Sequence, residues 1–189
     1  MLYEFKTDLD AYLSGLGPSA PVKSLAEIID FNESHAAEEM EFFGQETFLK
    51  AVAKGPLTDR AYKQALAKCQ KLARTSGIDA AMKKHKLDAL AAPTNSPAWV
   101  VDPVLGDSAI GSSHSLAAVA GYPSITVPAG FARGLPLGVS FFGHAQSEPV
   151  LFRLALALEQ AAPKRQRPTF RPTADVSAPD CGGGCGSKT

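Results

Sequence analysis

Apolar residues recur at spacings of three and four along the first half of the chain. Tyr3 to Leu16 sets Phe5, Leu9, Tyr12, Leu13 and Leu16 on one helical face, and Gly15, Gly17 and Pro18 end it. Pro21 to Ile29 predicts a short helix, with Ser24 three residues before Glu27 in a capping-box pattern. Gln45 to Lys54 predicts another, stopped by Gly55-Pro56. Thr58 is the expected N-cap of the longest helix, which runs to about Ser76 with Tyr62, Leu66, Cys69 and Leu72 on one side. Gly77 breaks or bends it, and Ile78 to His85 continues it or forms a separate helix. Each helix has a polar side, so each needs a surface to cover its apolar face.

The pattern then changes. Leu87 to Ala92 is a short apolar run before Pro93 and reads as a buried strand over Ala89–Ala92. Thr94 to Asp107 lacks periodicity and reads as a loop, and the Ala/Ser/Gly-rich stretch Ser108 to Gly121 as a closely packed helix. Ser124 to Val127 and Leu137 to Phe142 read as neighbouring strands with Gly134-Leu135-Pro136 between them. Glu148 to Ala162 is a strongly apolar helix, with Val150, Leu151, Leu154, Leu158 and Ala161 expected on its inner face. Strands combined with helices predict an α/β or α+β layer structure. Three strands leave long open edges, so the sheet is expected to be incomplete. From Pro163 the chain turns Lys/Arg/Pro-rich and ends in DCGGGCGSKT, so residues 163–189 are expected to form an extended tail.

Charge narrows the function classes. Nineteen Lys and Arg balance nineteen Asp and Glu, which argues against nucleic acid as a partner. No apolar run is long enough to span a bilayer, and the N-terminal MLYEFKTDLD is not a secretory signal, so a cytoplasmic protein without a membrane partner is expected. Three cysteines, two near the C-terminus, do not make a disulfide framework.

The order LDALAAPTNSPAW, GSSHSLAAVAGYPSITVPAGF, GLPLGVSFFG and EPVLFRLALALEQ resembles the C-terminal third of amidase signature enzymes. LYEFKTDLDAYL from Leu2 and the long helix after Thr58 resemble the peptide-amidase-like branch, so the likeness covers roughly residues 2–162. It implies an α/β fold with a mixed sheet and flanking helices, incomplete here, with residues 1–162 as the C-terminal part of the domain. It also implies hydrolysis of a carboxylic amide by a Ser–cis-Ser–Lys triad, without metal or organic cofactor. In such a triad a neutral lysine activates the serine through the bridging serine, and glycine-rich backbone N–H groups hold the oxyanion.

Neither triad segment occurs in this sequence. Gly111-Ser112-Ser113-His114-Ser115 lacks the flanking glycines of the nucleophile loop and fails the Gly-x-Ser-x-Gly pattern. No catalytic residue is therefore assigned, and the chain alone is expected to be inactive. The resemblance implies that two segments border the substrate cleft: Thr94, Asn95, Ser96 and Trp99, then Ser112, Ser113 and His114. Thr94 and Asn95 after a proline also read as turn residues, and a lone tryptophan as a packing residue. Ser113 and His114 are not a dyad, because adjacent helical positions point about 100° apart. The implied partners are an amide substrate in a complete enzyme and an N-terminal amidase half or a second copy. The alternatives are an independent small-molecule-binding domain and a non-catalytic scaffold subunit.

Three other clusters stand out in the sequence. His35 among Glu33, Glu38, Glu39 and Glu41 reads as a solvated acidic face rather than a metal site. Cys181 and Cys185 sit in a glycine run with no further ligand pair nearby. Lys164, Arg165 and Arg167 form a basic patch too small for nucleic acid.

Overall fold

The computed structural model describes residues 1–170, apart from 103 and 169. Cys181, Cys185 and most of the predicted tail lie outside the described residues. The chain divides into two compact units, Met1–Lys68 and a second from Cys69 onward, with the boundary inside one helix.

The first unit is helical. It comprises α1 (Leu2–Gly15), α2 (Leu25–Ser34), α3 (Ala36–Glu39), α4 (Glu46–Val52) and the start of α5 (Arg60–Ala73). Leu25, Ile29 and Ala51 are buried together, flanked by Leu2, Phe5, Leu9, Phe48 and Val52. The Phe5 and Phe48 rings stack with centroids 5.5 Å apart. Ser24 caps α2 as expected, its hydroxyl accepting the Glu27 N–H at 3.2 Å. The Glu27 carboxylate reaches one residue further back, to the Lys23 N–H at 2.7 Å. Asp10 of α1 adds a second acceptor at that helix start, taking the Leu25 N–H at 2.7 Å. Lys6 donates to the carbonyls of Val52 at 2.9 Å and Lys54 at 2.7 Å, placing a cation where the last carbonyls of α4 are unpaired.

Helix α2 runs five residues past the expected end at Ile29, then breaks at His35. His35 and Glu41 therefore share no continuous helix face. The His35 ring stacks on Phe31 at 4.1 Å, with Nδ1 2.9 Å from the Phe31 carbonyl. Helix α5 starts at Arg60, not after Thr58. Asp59 takes the capping position because its carbonyl is the first to accept a helical bond, from the Lys63 N–H at 3.0 Å.

The second unit carries α6 (Asp79–His85), β1 (Leu90–Pro93), α7 (His114–Ala120), β2 (Ser124–Ala132), β3 (Leu135–Phe142) and α8 (Glu148–Ala161). Between α5 and α6 the helix does not stop at Gly77. It passes through one wide π turn, Arg74–Ile78. A Cβ at Gly77 would lie 2.5 Å from the Leu72 carbonyl oxygen, so only glycine allows that approach.

The sheet has the order β1-β3-β2, and both pairings are antiparallel, a narrower arrangement than the mixed sheet expected. For β2 and β3 the reason is the connection: Arg133 and Gly134, at φ 50° and 78°, form a two-residue reversal, and so short a turn joins only antiparallel strands. The hairpin therefore extends further toward the turn than the two expected strands. A register slip between Pro128 and Gly130 bulges β2 at Ala129. Phe142 packs with Ala73, Ile78, Met82, Ala117 and Ala120 on one face, joined by Leu90, Ala92 and Tyr122. Helix α8 packs on β2 and β3. It buries Leu151 and Ala155 rather than Ala161, which is exposed in the last turn.

The helix expected over Ser108–Gly121 is only seven residues long. Residues 108–113 are not helical, because their Gly- and Ser-rich backbone has weak helix propensity and part of it pairs with the strand line instead. Gly121, at φ 66°, ends α7, and the Tyr122 N–H returns to the Ala117 carbonyl at 3.0 Å.

Candidate functional site

The strand line of β1 continues past Pro93 into the first candidate segment. The Thr94 N–H donates to the Gly138 carbonyl at 2.9 Å. Asn95 pairs antiparallel with Ser112. Two bonds frame that pair: Ser113 N–H to Thr94 O at 3.1 Å, and Ser96 N–H to Gly111 O at 3.1 Å. Five of the seven candidates, Thr94, Asn95, Ser96, Ser112 and Ser113, thus meet on two short antiparallel limbs. His114 is the first residue of α7, directly after this limb, and is exposed.

Trp99 is bonded elsewhere. Its indole N–H donates to Asp107 Oδ1 at 3.1 Å, which ties together the two arms of the loop that follows. Asp102 organises the tip, accepting the N–H groups of Val104 at 2.8 Å and Leu105 at 2.9 Å. Those two bonds hold its carboxyl below the usual carboxylate range. The loop is apolar yet open: Val100 and Val101 are each 82% exposed, and Val104 is 90% exposed. Leu105 and Ile110 are exposed as well.

Under the first limb lies a hydroxyl cluster that the strand pattern did not flag. Ser140 Oγ is 2.8 Å from Thr94 Oγ1 and 2.8 Å from Thr126 Oγ1. Its one signal in the sequence is a serine inside the apolar strand Leu137–Phe142. Ser113 Oγ is buried and has no hydrogen-bond partner among the described residues.

Toward the other end of the sheet, Asp79 accepts from the Tyr122 hydroxyl at 3.1 Å, and its second oxygen lies 3.2 Å from His144 Nδ1. Burial, then the Asp79 bond, pushes the Tyr122 hydroxyl above its ordinary pKa. Arg74 in the π turn bonds the Ala120 carbonyl through Nε at 2.6 Å and lies 5.7 Å over the Tyr122 ring. This network fastens the π turn and α6 to the end of α7.

A small cavity of about 110 Å³ sits where α8 ends, lined by Pro128, Glu159, Pro163, Lys164 and Arg165. Among the described residues no group of three or more His, Cys, Asp or Glu is placed to hold a metal ion. No described helix is long and apolar enough to cross a membrane.

No family model matches the chain. Individual relatives do. A probable amidase of Arabidopsis thaliana is 40% identical over 172 residues, 90% of this chain and 30% of the relative. The solved peptide amidase of Stenotrophomonas maltophilia is 47% identical, with a TM-score of 0.80 over 89% of this chain and 34% of its own. A peptide amidase structure with the competitive inhibitor chymostatin superposes with a TM-score of 0.84 at 47% identity, over 89% of this chain and 34% of that one. A glutamyl-tRNA(Gln) amidotransferase subunit of Granulibacter bethesdensis is 31% identical over 149 residues, 75% of this chain and 30% of the relative. The chain therefore spans about a third of the length of the relatives it matches.

Proposed function

Taking as premise that this chain belongs to the amidase signature family, we propose that it is the C-terminal portion of an amide hydrolase and supplies one wall of the substrate cleft. The observation that carries this reading is the TM-score of 0.84 and 47% identity to peptide amidase, spread over 89% of this chain but only 34% of that enzyme. The substrate class proposed with it is a peptide amide, after the name of that relative.

In this reading the catalytic Ser–cis-Ser–Lys triad belongs to polypeptide outside this sequence. This chain contributes the limbs Thr94–Ser96 and Ser112–Ser113, His114, and the apolar loop that carries Trp99. Their backbone pairing gives a rigid edge. The polar groups of the limbs available to orient a peptide are the amide of exposed Asn95, the hydroxyl of exposed Ser112 and that of half-buried Ser96. The exposed valines and leucine of the loop fit a surface that the remaining two-thirds of such an enzyme covers.

A second reading keeps the fold and changes the role: a non-catalytic subunit that completes an assembly. Similarity to a protein named as one subunit of an amidotransferase favours it. Labelling with a serine-directed fluorophosphonate separates the proposal from active alternatives. The 189-residue chain should remain unlabelled, and labelling at Ser113 would overturn the assignment of the nucleophile to another segment.

A further inference from the structure

Ser140 is 2% exposed and sits in the middle of the sheet, on the face that carries the Phe142 cluster. It pairs with Ala92 on β1 and with Thr126 on β2, so a bond network centred on it can cross all three strands. Its hydroxyl reaches Thr94 Oγ1 and Thr126 Oγ1, at 2.8 Å each, while those two oxygens stand 3.5 Å apart. Each of the three hydroxyls has one proton and can accept as well as donate. Ser140 can therefore accept from one threonine and donate to the other.

Room for this arrangement comes from Gly138. A Cβ there would lie 2.9 Å from Thr94 Oγ1 and 2.9 Å from Thr126 Cγ2. Gly138 also accepts the Thr94 N–H. Thr94 is thus held twice, by its backbone on Gly138 and by its side chain on Ser140. Its carbonyl then receives the Ser113 N–H, and Ser96, two residues on, reaches Gly111.

We propose that Ser140 is a positioning residue: through the Thr94 hydroxyl it fixes the Thr94–Ser96 limb against Gly111–Ser113, and so sets the shape of the cleft wall. The importance of that wall rests on the amide-hydrolase reading above, but the positioning itself is testable without turnover. Ser140 touches no substrate in this role.

The experiment is residue-resolved amide hydrogen exchange on the 189-residue chain and its variants. In Ser140→Ala the Ser96 and Ser113 amides should exchange about tenfold faster, while Phe131, Ala132 and Leu137 at the far end of the hairpin stay within about twofold. Thr94→Val should produce the same local loosening, and Ser140→Ala should add almost nothing in that background. Equal acceleration throughout the sheet would overturn the proposal by making Ser140 a general stabiliser. Unchanged Ser96 and Ser113 amides, or a full Ser140→Ala effect in the Thr94→Val background, would also overturn it. If the exchange pattern holds but amide turnover is never found in a completed enzyme, the functional reading fails while the positioning role stands.

Discussion

Ser113 donates its backbone N–H to the Thr94 carbonyl at 3.1 Å, joining two segments that are far apart along the chain. That bond turns two short polar stretches into one edge. It also explains why residues 108–113 are not the helix their composition suggests: the Ser96 and Ser113 amides find strand-like partners before α7 begins. If these limbs form the proposed cleft wall, their rigidity serves it, because a ligand gains most from groups already in place.

The π turn gives a stability prediction. Gly77→Ala puts a methyl group 2.5 Å from the Leu72 carbonyl oxygen, a backbone atom that cannot swing aside. The substitution should cost about 1–3 kcal/mol, as overpacking of a fixed site does. Chemical denaturation of the two proteins checks it, and an equally stable variant would mean that the turn relaxes to ordinary helix.

The hairpin turn gives a second. Gly134 has φ 78°, where a side chain is strained. Gly134→Ala should lose about 1–2 kcal/mol, because a residue with a Cβ is strained at this left-handed φ. The same denaturation measurement reads it.

Tyr122→Phe removes the hydroxyl that Asp79 accepts at 3.1 Å, leaving the carboxylate with His144. A hydrogen bond to a charged group contributes about 1.5–3 kcal/mol, and a loss near the lower end is expected because the site is only partly buried. In the unsubstituted chain the Tyr122 pKa is raised in the folded state, so its contribution is complete below the ordinary value of 10.0 and fades as pH rises through the higher folded value. Ultraviolet titration should therefore show two tyrosines ionising late, Tyr122 and the Glu4-bonded Tyr62, and only one of them in Tyr122→Phe.

Asp102 behaves oppositely. Its folded-state pKa lies below the ordinary 3.8, so the turn bonds to Val104 and Leu105 persist above that value and are lost as pH falls through the depressed one. The amide proton shifts of Val104 and Leu105 should move together, with a midpoint below 3.8. Asp102→Asn keeps an acceptor at this position and should flatten the transition.

Much of the architecture was readable along the chain. Ser24 before Glu27 marks a helix start because a short polar side chain there can reach a free N–H. The strands beside Gly134 and the apolar stripe of α8 follow from turn chemistry and periodicity. What escaped depends on contacts remote in sequence. The π turn arises from how Gly77 meets Leu72, which no three-to-four spacing announces. The pairing of Asn95 with Ser112 overrides composition in 108–113. In the candidate site, the resemblance pointed to Thr94, Asn95, Ser96, Ser112 and Ser113, which the fold brings together. It did not point to Ser140 or Thr126, because only strand register places their hydroxyls beside Thr94. Trp99 has its bond with Asp107 instead.

The central claim is that this chain is a cleft-forming portion of an amide hydrolase without its own nucleophile. A chimera tests it most directly: residues 1–162 exchanged for the matching third of the Stenotrophomonas maltophilia peptide amidase, assayed on C-terminally amidated peptides beside the 189-residue chain alone. The account predicts turnover by the chimera and none by the isolated chain. A folded but inactive chimera would contradict the cleft assignment, and turnover by the chain alone would contradict the placement of the catalytic serine outside it.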